Sequence, residues 1–295
     1  MGRVLVTGSR GLIGSALAHR LTTAGWEVAC FDIADGMDVV DDQAVGTALK
    51  DCEGVVHLAA MSRVVWGEQD PAACRTINVT GTQNVLSAAS RLNRPPWVLV
   101  ASSREVYGQA ASFPVPESAA LRPLNVYARS KVAVENLVAA SRAEGLRASV
   151  IRFSSVYGAV TDHPERVAPA FARLAVLGKT LRIDGSETTL DFTHIDDVAA
   201  ALEATAEMLA SGRGPLPVLH LVSGRGTALP ELADIAIRAA GRGSVKIVPG
   251  RSYDVRSFIG DPARAEQILG WRTTITPQDG IPDLVKRFAA MVRTG

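Results

Sequence analysis

The segment Thr7-Gly8-Ser9-Arg10-Gly11-Leu12-Ile13-Gly14 constrains this chain more than any other. Before it lies a short apolar run, Arg3 to Thr7, that reads as a β-strand. After it, Leu12, Ile13, Ala16, Leu17 and Leu21 recur at helical spacing and stop at Gly25. Strand, glycine turn and helix in that order commit the chain to a parallel sheet covered by helices. Glycines let the backbone bend tightly and approach a pyrophosphate, and the helix N-terminus adds unpaired N–H groups at the positive end of its dipole. Asp32 ends the next strand, Glu27 to Phe31, where a carboxylate accepts hydrogen bonds from a ribose. With that acid in place, the turn reads as a dinucleotide site rather than an ordinary helix cap. Asp32 favours NAD, because it repels the 2′-phosphate of NADP. Arg10 pulls the other way, since a basic loop residue reaches that phosphate, but no Arg or Lys closely follows Asp32. The balance is NAD over NADP, with Arg10 read as a solvated loop charge.

The alternation of strand and helix continues. Gly54 to Leu58 and Trp97 to Ala101 read as strands, with a helix between them from the N-cap pair Asp70-Pro71 to about Leu92. A helix from about Pro123 to Arg142 leads to a strand from Arg147 to Phe153. This pattern predicts an α/β, doubly wound parallel sheet. Only five residues separate Asp32 from Asp38, too few for a crossover helix, so a loop or a very short strand is expected there. After Tyr157 the elements shorten and Gly and Pro punctuate them. That region reads as a smaller substrate-binding part, with segments near Gly185, Asp196 and Asp254 facing the cofactor. The expected division is a dinucleotide-binding core over 1–160, rejoined by about 187–222, and a mainly substrate-binding region over 161–295.

Composition narrows the partners. With 31 basic and 30 acidic side chains, a net charge of +1 and no basic stripe, nucleic acid is not expected to bind. No apolar run approaches the roughly 20 residues of a bilayer span. The N-terminus enters its first strand directly, so neither a signal peptide nor a membrane partner is expected, and the expected location is cytoplasmic. Cys30, Cys52 and Cys74 form an odd, unpatterned set, which argues against a disulfide framework and against a metal site.

The chemistry is carried by Tyr127-Ala128-Arg129-Ser130-Lys131, which opens a predicted helix and puts phenol and ammonium one turn apart on one face. The cation favours phenolate and brings the tyrosine toward a working pKa for general acid–base catalysis. The lysine can also hold the nicotinamide ribose. A third member belongs at the exit of the strand before, in Ser102-Ser103-Arg104-Glu105-Val106-Tyr107-Gly108, where Ser103 can hydrogen-bond the oxygen that Tyr127 protonates.

Together these motifs resemble the extended short-chain dehydrogenases/reductases of the sugar-nucleotide epimerase/dehydratase family. The resemblance extends to His57-Leu58-Ala59-Ala60, Asn78-Val79-Thr80-Gly81-Thr82-Gln83-Asn84-Val85, Arg152-Phe153-Ser154-Ser155-Val156-Tyr157-Gly158, Asp191-Phe192-Thr193-His194-Ile195-Asp196-Asp197-Val198 and Leu269-Gly270-Trp271. It implies a Rossmann-like core with a small C-terminal substrate-binding domain, and a homodimer formed through the helices near 71–92 and 123–142. It implies cofactor contacts from Gly8, Arg10, Gly11, Leu12, Ile13, Gly14 and Asp32, and adenine contacts from Asp38 and Val39. Leu58, Ala59, Ala60, Asn78, Ser102, Tyr127, Lys131 and Phe153 complete the implied cofactor set. Ser103, Tyr127 and Lys131 would be catalytic, with Glu105 at the place of a base that removes a C5 proton in 4,6-dehydratases. The implied nucleotide-sugar contacts are Ser62, Ser103, Arg104, Ser155 and Arg256.

Three positions depart from the family pattern. Arg104 stands where dehydratases often carry Asp or Ser, and a loop ion pair of Glu105 with Arg104 or another arginine is an equal reading. Ser155 replaces a usual Asn, and Leu190 replaces a usual Arg before the Asp-Phe pair, which thins the expected diphosphate site. The reading is an NAD-dependent epimerase acting at C4 of a nucleotide sugar. Alternatives are an NAD(P)H-dependent 4-keto-sugar reductase or dehydrogenase, then a dehydratase or decarboxylase, and last a dinucleotide sensor without catalysis.

Overall fold

The computed structural model describes residues 2–294. The first half contains β1 (Arg3–Thr7), α1 (Leu12–Thr23), β2 (Glu27–Phe31), α2 (Asp42–Ala48), β3 (Gly54–His57), α3 (Val64–Gln69), α4 (Pro71–Arg75), α5 (Gly81–Ser90), β4 (Trp97–Ser103), α6 (Val126–Ala143) and β5 (Ala148–Phe153). There follow β6 (Ser155–Tyr157), α7 (Val167–Val176), β7 (Thr180–Asp184), β8 (Thr189–His194), α8 (Ile195–Ala210), β9 (Leu219–Leu221), β10 (Gly226–Ala228), α9 (Leu229–Ala240), β11 (Ser244–Val248), β12 (Ser257–Phe258), α10 (Ala263–Leu269) and α11 (Pro277–Thr294). Among the described residues no helix is long and apolar enough to cross a membrane.

Contacts divide the chain into two compact units. The first comprises the chain up to Gly108, Glu117–Phe153 and Ala199–Leu221. Its sheet is wholly parallel, in the order β2-β1-β3-β4-β5-β9. Both faces are covered, so β3 and β5 are buried at every position and are apolar or small except at His57 and Arg152. Leu5, Val55, Val98 and Val150 pack with Val85, Leu86, Val134 and Val138 of the covering helices. Strand order reverses between β1 and β3, and the crevice beyond the strand ends at such a switch is where this sheet type binds ligands.

Two local expectations gain detail. After Asp32 the chain makes a 3-10 turn, Ile33–Asp35, closed by Gly36 at φ 78°. The crossover helix then comes later, as α2, capped by the Asp41 carboxylate on the N–H groups of Gln43 and Ala44. It escapes the periodicity because it has seven residues and buries only Val45. The helix expected from Pro71 to Leu92 is α4 and α5 joined by a widened π-type turn, Thr76–Thr80.

The second unit comprises Gln109–Pro116, Ser154–Val198 and the chain from Val222 on. β8 is the centre of a small mixed sheet, paired antiparallel with β10 and parallel with β12 and β6. β7 and β11 form a separate parallel pair. Phe171, Leu181, Ile183, Phe192, Leu232 and Leu284 join these strands to α7, α9 and α11 in one core. Pairing therefore shifts the division from the sequence-based one. β8 belongs with β6, β10 and β12, so the segment that rejoins the first unit begins at Ala199, and it pairs with β5 through β9.

Candidate functional site

The glycine turn is shaped by close approaches. Gly8 has φ 69°, and a Cβ there would meet the Ala59 nitrogen at 2.7 Å. A Cβ on Gly14 would meet the Gly8 oxygen at 2.0 Å, so glycine at 14 lets α1 pack directly under the turn. Gly11 is the N-cap of α1 and supplies no side-chain cap, and Leu12 and Ile13 follow half-buried. The first N–H groups of a 12-residue helix are thus left to an outside acceptor.

Asp32 faces this turn from the end of β2. Its Oδ2 accepts from the Arg10 backbone N–H (2.9 Å) and its Oδ1 from that of Ala34 (2.9 Å). A carboxylate accepts about four hydrogen bonds, so lone pairs remain for ribose hydroxyls. The Arg10 side chain is held in a two-pronged pair by Asp35, at 2.9 Å from Nε and 2.7 Å from Nη2. That pair holds the Asp35 carboxyl below its ordinary range and raises the arginine. Arg10 is exposed, as read from the sequence, but its charge is paired with Asp35 across the turn. Asp35 and the exposed Ile33 beside it were missed, because nothing in their spacing marks them. Donors for a pyrophosphate and acceptors for a ribose, with an Asp35-bound arginine, fit NAD.

The remaining cofactor candidates divide. Asp38 caps its own turn, its Oδ1 accepting from the Val40 N–H at 2.9 Å. Val39 is turned into the core, and its carbonyl accepts from Asn84 Nδ2 at 3.0 Å. Leu58, Ala59 and Ala60 are half-buried in the loop after β3, and the Leu58 and Ala59 N–H groups both donate to Thr7 Oγ1 at 3.2 Å. Asn78 spends its amide inside the protein, on Met61 N (2.8 Å), Met61 O (3.2 Å) and Ser130 Oγ (2.8 Å). The Ser102 hydroxyl likewise turns inward, to Glu135 Oε1 at 2.5 Å. Phe153 ends β5 directly beside Ser103 in the β4–β5 register.

Ser103, Tyr127 and Lys131 are all nearly enclosed, at 9%, 7% and 4% exposure. Tyr127, Ser130, Lys131, Val134 and Val138 share the buried face of α6, as an i, i+3, i+4, i+7, i+11 pattern dictates. Lys131 Nζ donates to the Ala101 carbonyl at 2.8 Å and lies 5.9 Å from the centre of the Tyr127 ring. Burial pushes this lysine down to about 8. Ser103 Oγ accepts from the Glu105 N–H at 3.2 Å.

Glu105 has both oxygens engaged. Oε1 pairs with Arg104 Nη2 at 2.9 Å, and Oε2 accepts from Asn125 Nδ2 at 3.0 Å. Asn125 is itself the N-cap of α6, its Oδ1 accepting from the Ala128 N–H at 2.7 Å, while Glu68 accepts from the Val126 N–H at 2.7 Å. Glu105 thus supports the start of the helix that carries Tyr127. Behind this lies a buried network that the sequence did not disclose. Arg152 forks onto Glu135 (2.8 and 2.6 Å) and also donates to Tyr107 and to the Glu117 carbonyl. Its only outward sign was an arginine inside an otherwise apolar strand.

Ser62 is exposed in the loop before α3, in the first unit. Ser155 and Arg256 belong to the second unit, as do Gly185, Asp196 and Asp254. Ser155 starts β6, opposite Phe192. The Arg256 backbone is held at both ends: its carbonyl accepts from the Thr189 N–H (2.9 Å) and its N–H donates to Gln109 Oε1 (3.2 Å). Gln109 Nε2 also donates to the Asp254 carbonyl at 3.0 Å, while Asp254 pairs with Arg251. Leu190, where an arginine was expected, is buried beside β12. Among the described residues no cluster of His, Cys, Asp or Glu could hold a metal ion.

The model of the NAD dependent epimerase/dehydratase family matches residues 4–217. A UDP-glucose 4-epimerase of Mycolicibacterium smegmatis is 30% identical over 97% of this chain and 98% of its own length. A dTDP-glucose 4,6-dehydratase of Streptomyces griseus is 32% identical over 77% of this chain and 69% of its own. The solved structure of MoeE5 with UDP-glucose and NAD superposes with a TM-score of 0.91 at 30% identity, covering 99% of this chain and 100% of that one. With its glycine turn, an acid at the end of β2 and a Tyr–Lys helix in this order on this sheet, and with these matches, the chain belongs to the NAD dependent epimerase/dehydratase family.

Proposed function

We propose that this enzyme is an NAD-dependent epimerase that inverts C4 of a nucleotide sugar, with UDP-glucose the first substrate to try. One observation carries the reading. The Ser103, Tyr127 and Lys131 set is intact and nearly enclosed, while both oxygens of Glu105 are occupied by Arg104 and Asn125. Elimination would need Glu105 as its base, whereas epimerisation asks of it only the support it gives the start of α6. The similarity to a UDP-glucose 4-epimerase over nearly the whole of both chains supports the same choice.

Tyr127, as phenolate, takes the proton of the C4 hydroxyl, and Ser103 donates a hydrogen bond to the same oxygen. The Lys131 ammonium, fixed on the Ala101 carbonyl, stabilises the phenolate through its charge. NAD, held by Asp32 and the Gly8–Gly14 turn, would supply the hydride acceptor and donor for C4, the return being to the opposite face of the ketone. Tyr127 then gives its proton back, so the reaction has no net redox. Asp32 holds the adenosine ribose and the Gly8–Gly14 turn receives the pyrophosphate. Arg256, whose guanidinium has no partner among the described residues, holds the substrate diphosphate through paired N–H donors.

The test is interconversion of UDP-glucose and its C4 epimer without added NAD, together with mass spectrometry for NAD retained through purification. A protein that purifies empty and consumes NAD(P)H on a 4-keto sugar is a reductase instead. Arg256→Ala should raise KM for the nucleotide sugar far more than it lowers kcat, as expected for lost uniform binding. An unchanged KM would point to a substrate without a diphosphate.

A further inference from the structure

Hydrogen bonds around His57 reach from the glycine turn toward the helix that carries Tyr127. His57 ends β3 beside Thr7 of β1 and is fully enclosed, 2% exposed. Its Nδ1 lies 2.7 Å from Thr7 Oγ1 and its Nε2 lies 3.0 Å from Thr82 Oγ1. The direction of every bond follows from the far end. The Thr82 hydroxyl has one hydrogen and gives it to the Asn78 carbonyl at 2.6 Å, so toward His57 it can only accept. Nε2 must then carry the ring proton. Burial, with the Lys131 charge adding to it, pushes the imidazole down to about 3, so the ring is neutral and Nδ1 accepts. The Thr7 hydroxyl therefore donates to Nδ1, which leaves its oxygen to accept the Leu58 and Ala59 N–H groups, both at 3.2 Å. The opposite tautomer would set the bare Nε2 lone pair against the Thr82 oxygen.

Beyond Thr82 the same line continues. Asn78 sits in the widened turn between α4 and α5, a type of insertion that often marks functional positions. Its side chain grips the Met61 backbone and donates to Ser130 Oγ, and Ser130 donates to the Tyr127 carbonyl at 2.7 Å.

We infer that His57 is a positioning residue: a neutral ring with its proton on Nε2, it is the joint through which the strand entering the glycine turn and the loop after β3 are held in register with the helix bearing Tyr127. It touches neither substrate nor cofactor in this role, and its effect on turnover rests on the epimerase reading.

Two measurements test it. In the 15N-histidine-labelled protein, one of the five imidazoles should show a neutral ring with its proton on Nε2, unchanged between pH 6 and 8 and missing from His57→Asn. A ring protonated on Nδ1, or one that titrates in that range, overturns the inference whatever the protein catalyses. The second measurement compares Thr82→Ser, which keeps the hydroxyl, with Thr82→Val, which keeps the shape. Under the inference Thr82→Val loses roughly tenfold in kcat through misalignment, with KM for the nucleotide sugar unchanged, and Thr82→Ser stays within about threefold of the parent. A purely packing role gives the reverse order, with valine the better replacement, and that result sinks the inference. Absence of epimerase activity in the parent protein would instead remove the functional reading and leave the ring assignment standing.

Discussion

Tyr127 is the residue on which the proposed chemistry turns. Tyr127→Phe should lower kcat by about 10²–10⁴, the usual scale for a general acid–base group, and leave NAD affinity within a few-fold in direct titration. Near-normal turnover would remove the phenol from the mechanism. Lys131 sets the alkaline limit. Burial lowers it to about 8, so it is ammonium below that pH and loses its charge as pH rises through it. A kcat–pH profile should therefore fall on the alkaline side near 8, and Lys131→Met should lose that limb along with most of the activity. The stability sign is opposite. The unfolded lysine still holds its proton between about 8 and 10.4, so stability should rise with pH across that window. Under the proposed function, cofactor choice is expected to rest on two acids rather than one. Asp32→Ala removes the ribose acceptor, and Asp35→Asn releases Arg10 from its carboxylate partner. Asp35→Asn should tighten NADP binding with little loss of NAD affinity, and Arg10→Ala in that background should cancel the gain. Native preference for NADP in a titration would overturn the assignment.

The element that matters most is α6, because its first turn carries Tyr127 and its second Lys131. Its N-terminus is held by Asn125 and Glu68, and Asn125 is held in turn by Glu105. Asn125→Ala should destabilise the protein by about 1 kcal/mol, the typical loss for an N-cap, read from the urea midpoint. Glu105→Gln keeps an oxygen for Asn125, so activity within about tenfold of the parent is expected. A loss of 10³ or more in a folded Glu105→Gln variant would make Glu105 a base and favour a dehydratase. Periodicity reveals α6 because one face is buried along its whole length. It does not reveal the widened turn at Thr76–Thr80, since an inserted residue changes the phase of a pattern without breaking it.

For the whole molecule, a homodimer is expected, built from α4, α5 and α6 of each protomer. The outward positions of these helices include Ala72, Thr76, Thr80, Arg129, Asn136 and Ala140, mostly small or uncharged side chains that permit close helix approach. Light scattering at micromolar concentration should give twice the mass of one chain, and a monomer would contradict it. The division into two units also belongs to this scale. No composition change marks the point where β8 leaves the first sheet, because both sheets draw on the same apolar residues and differ only in which strand each one pairs with.

The sequence by itself determined the parallel sheet, the glycine turn, Asp32 and the Tyr127–Lys131 face. Each of these depends on local rules: residue periodicity, the steric freedom of glycine at Gly8, and a four-residue spacing on a helix. Tertiary structure alone decided what those residues meet. Arg10 is exposed, as its sequence context implies, but only folding put Asp35, 25 residues along, within its reach. Only folding set Arg104 and Asn125 against the two oxygens of Glu105, and the buried pair of Glu135 and Arg152 had no spacing to betray it. Hydrogen-bond partners are chosen by distance and burial in three dimensions, and a linear pattern records which face a residue occupies but not what stands across from it.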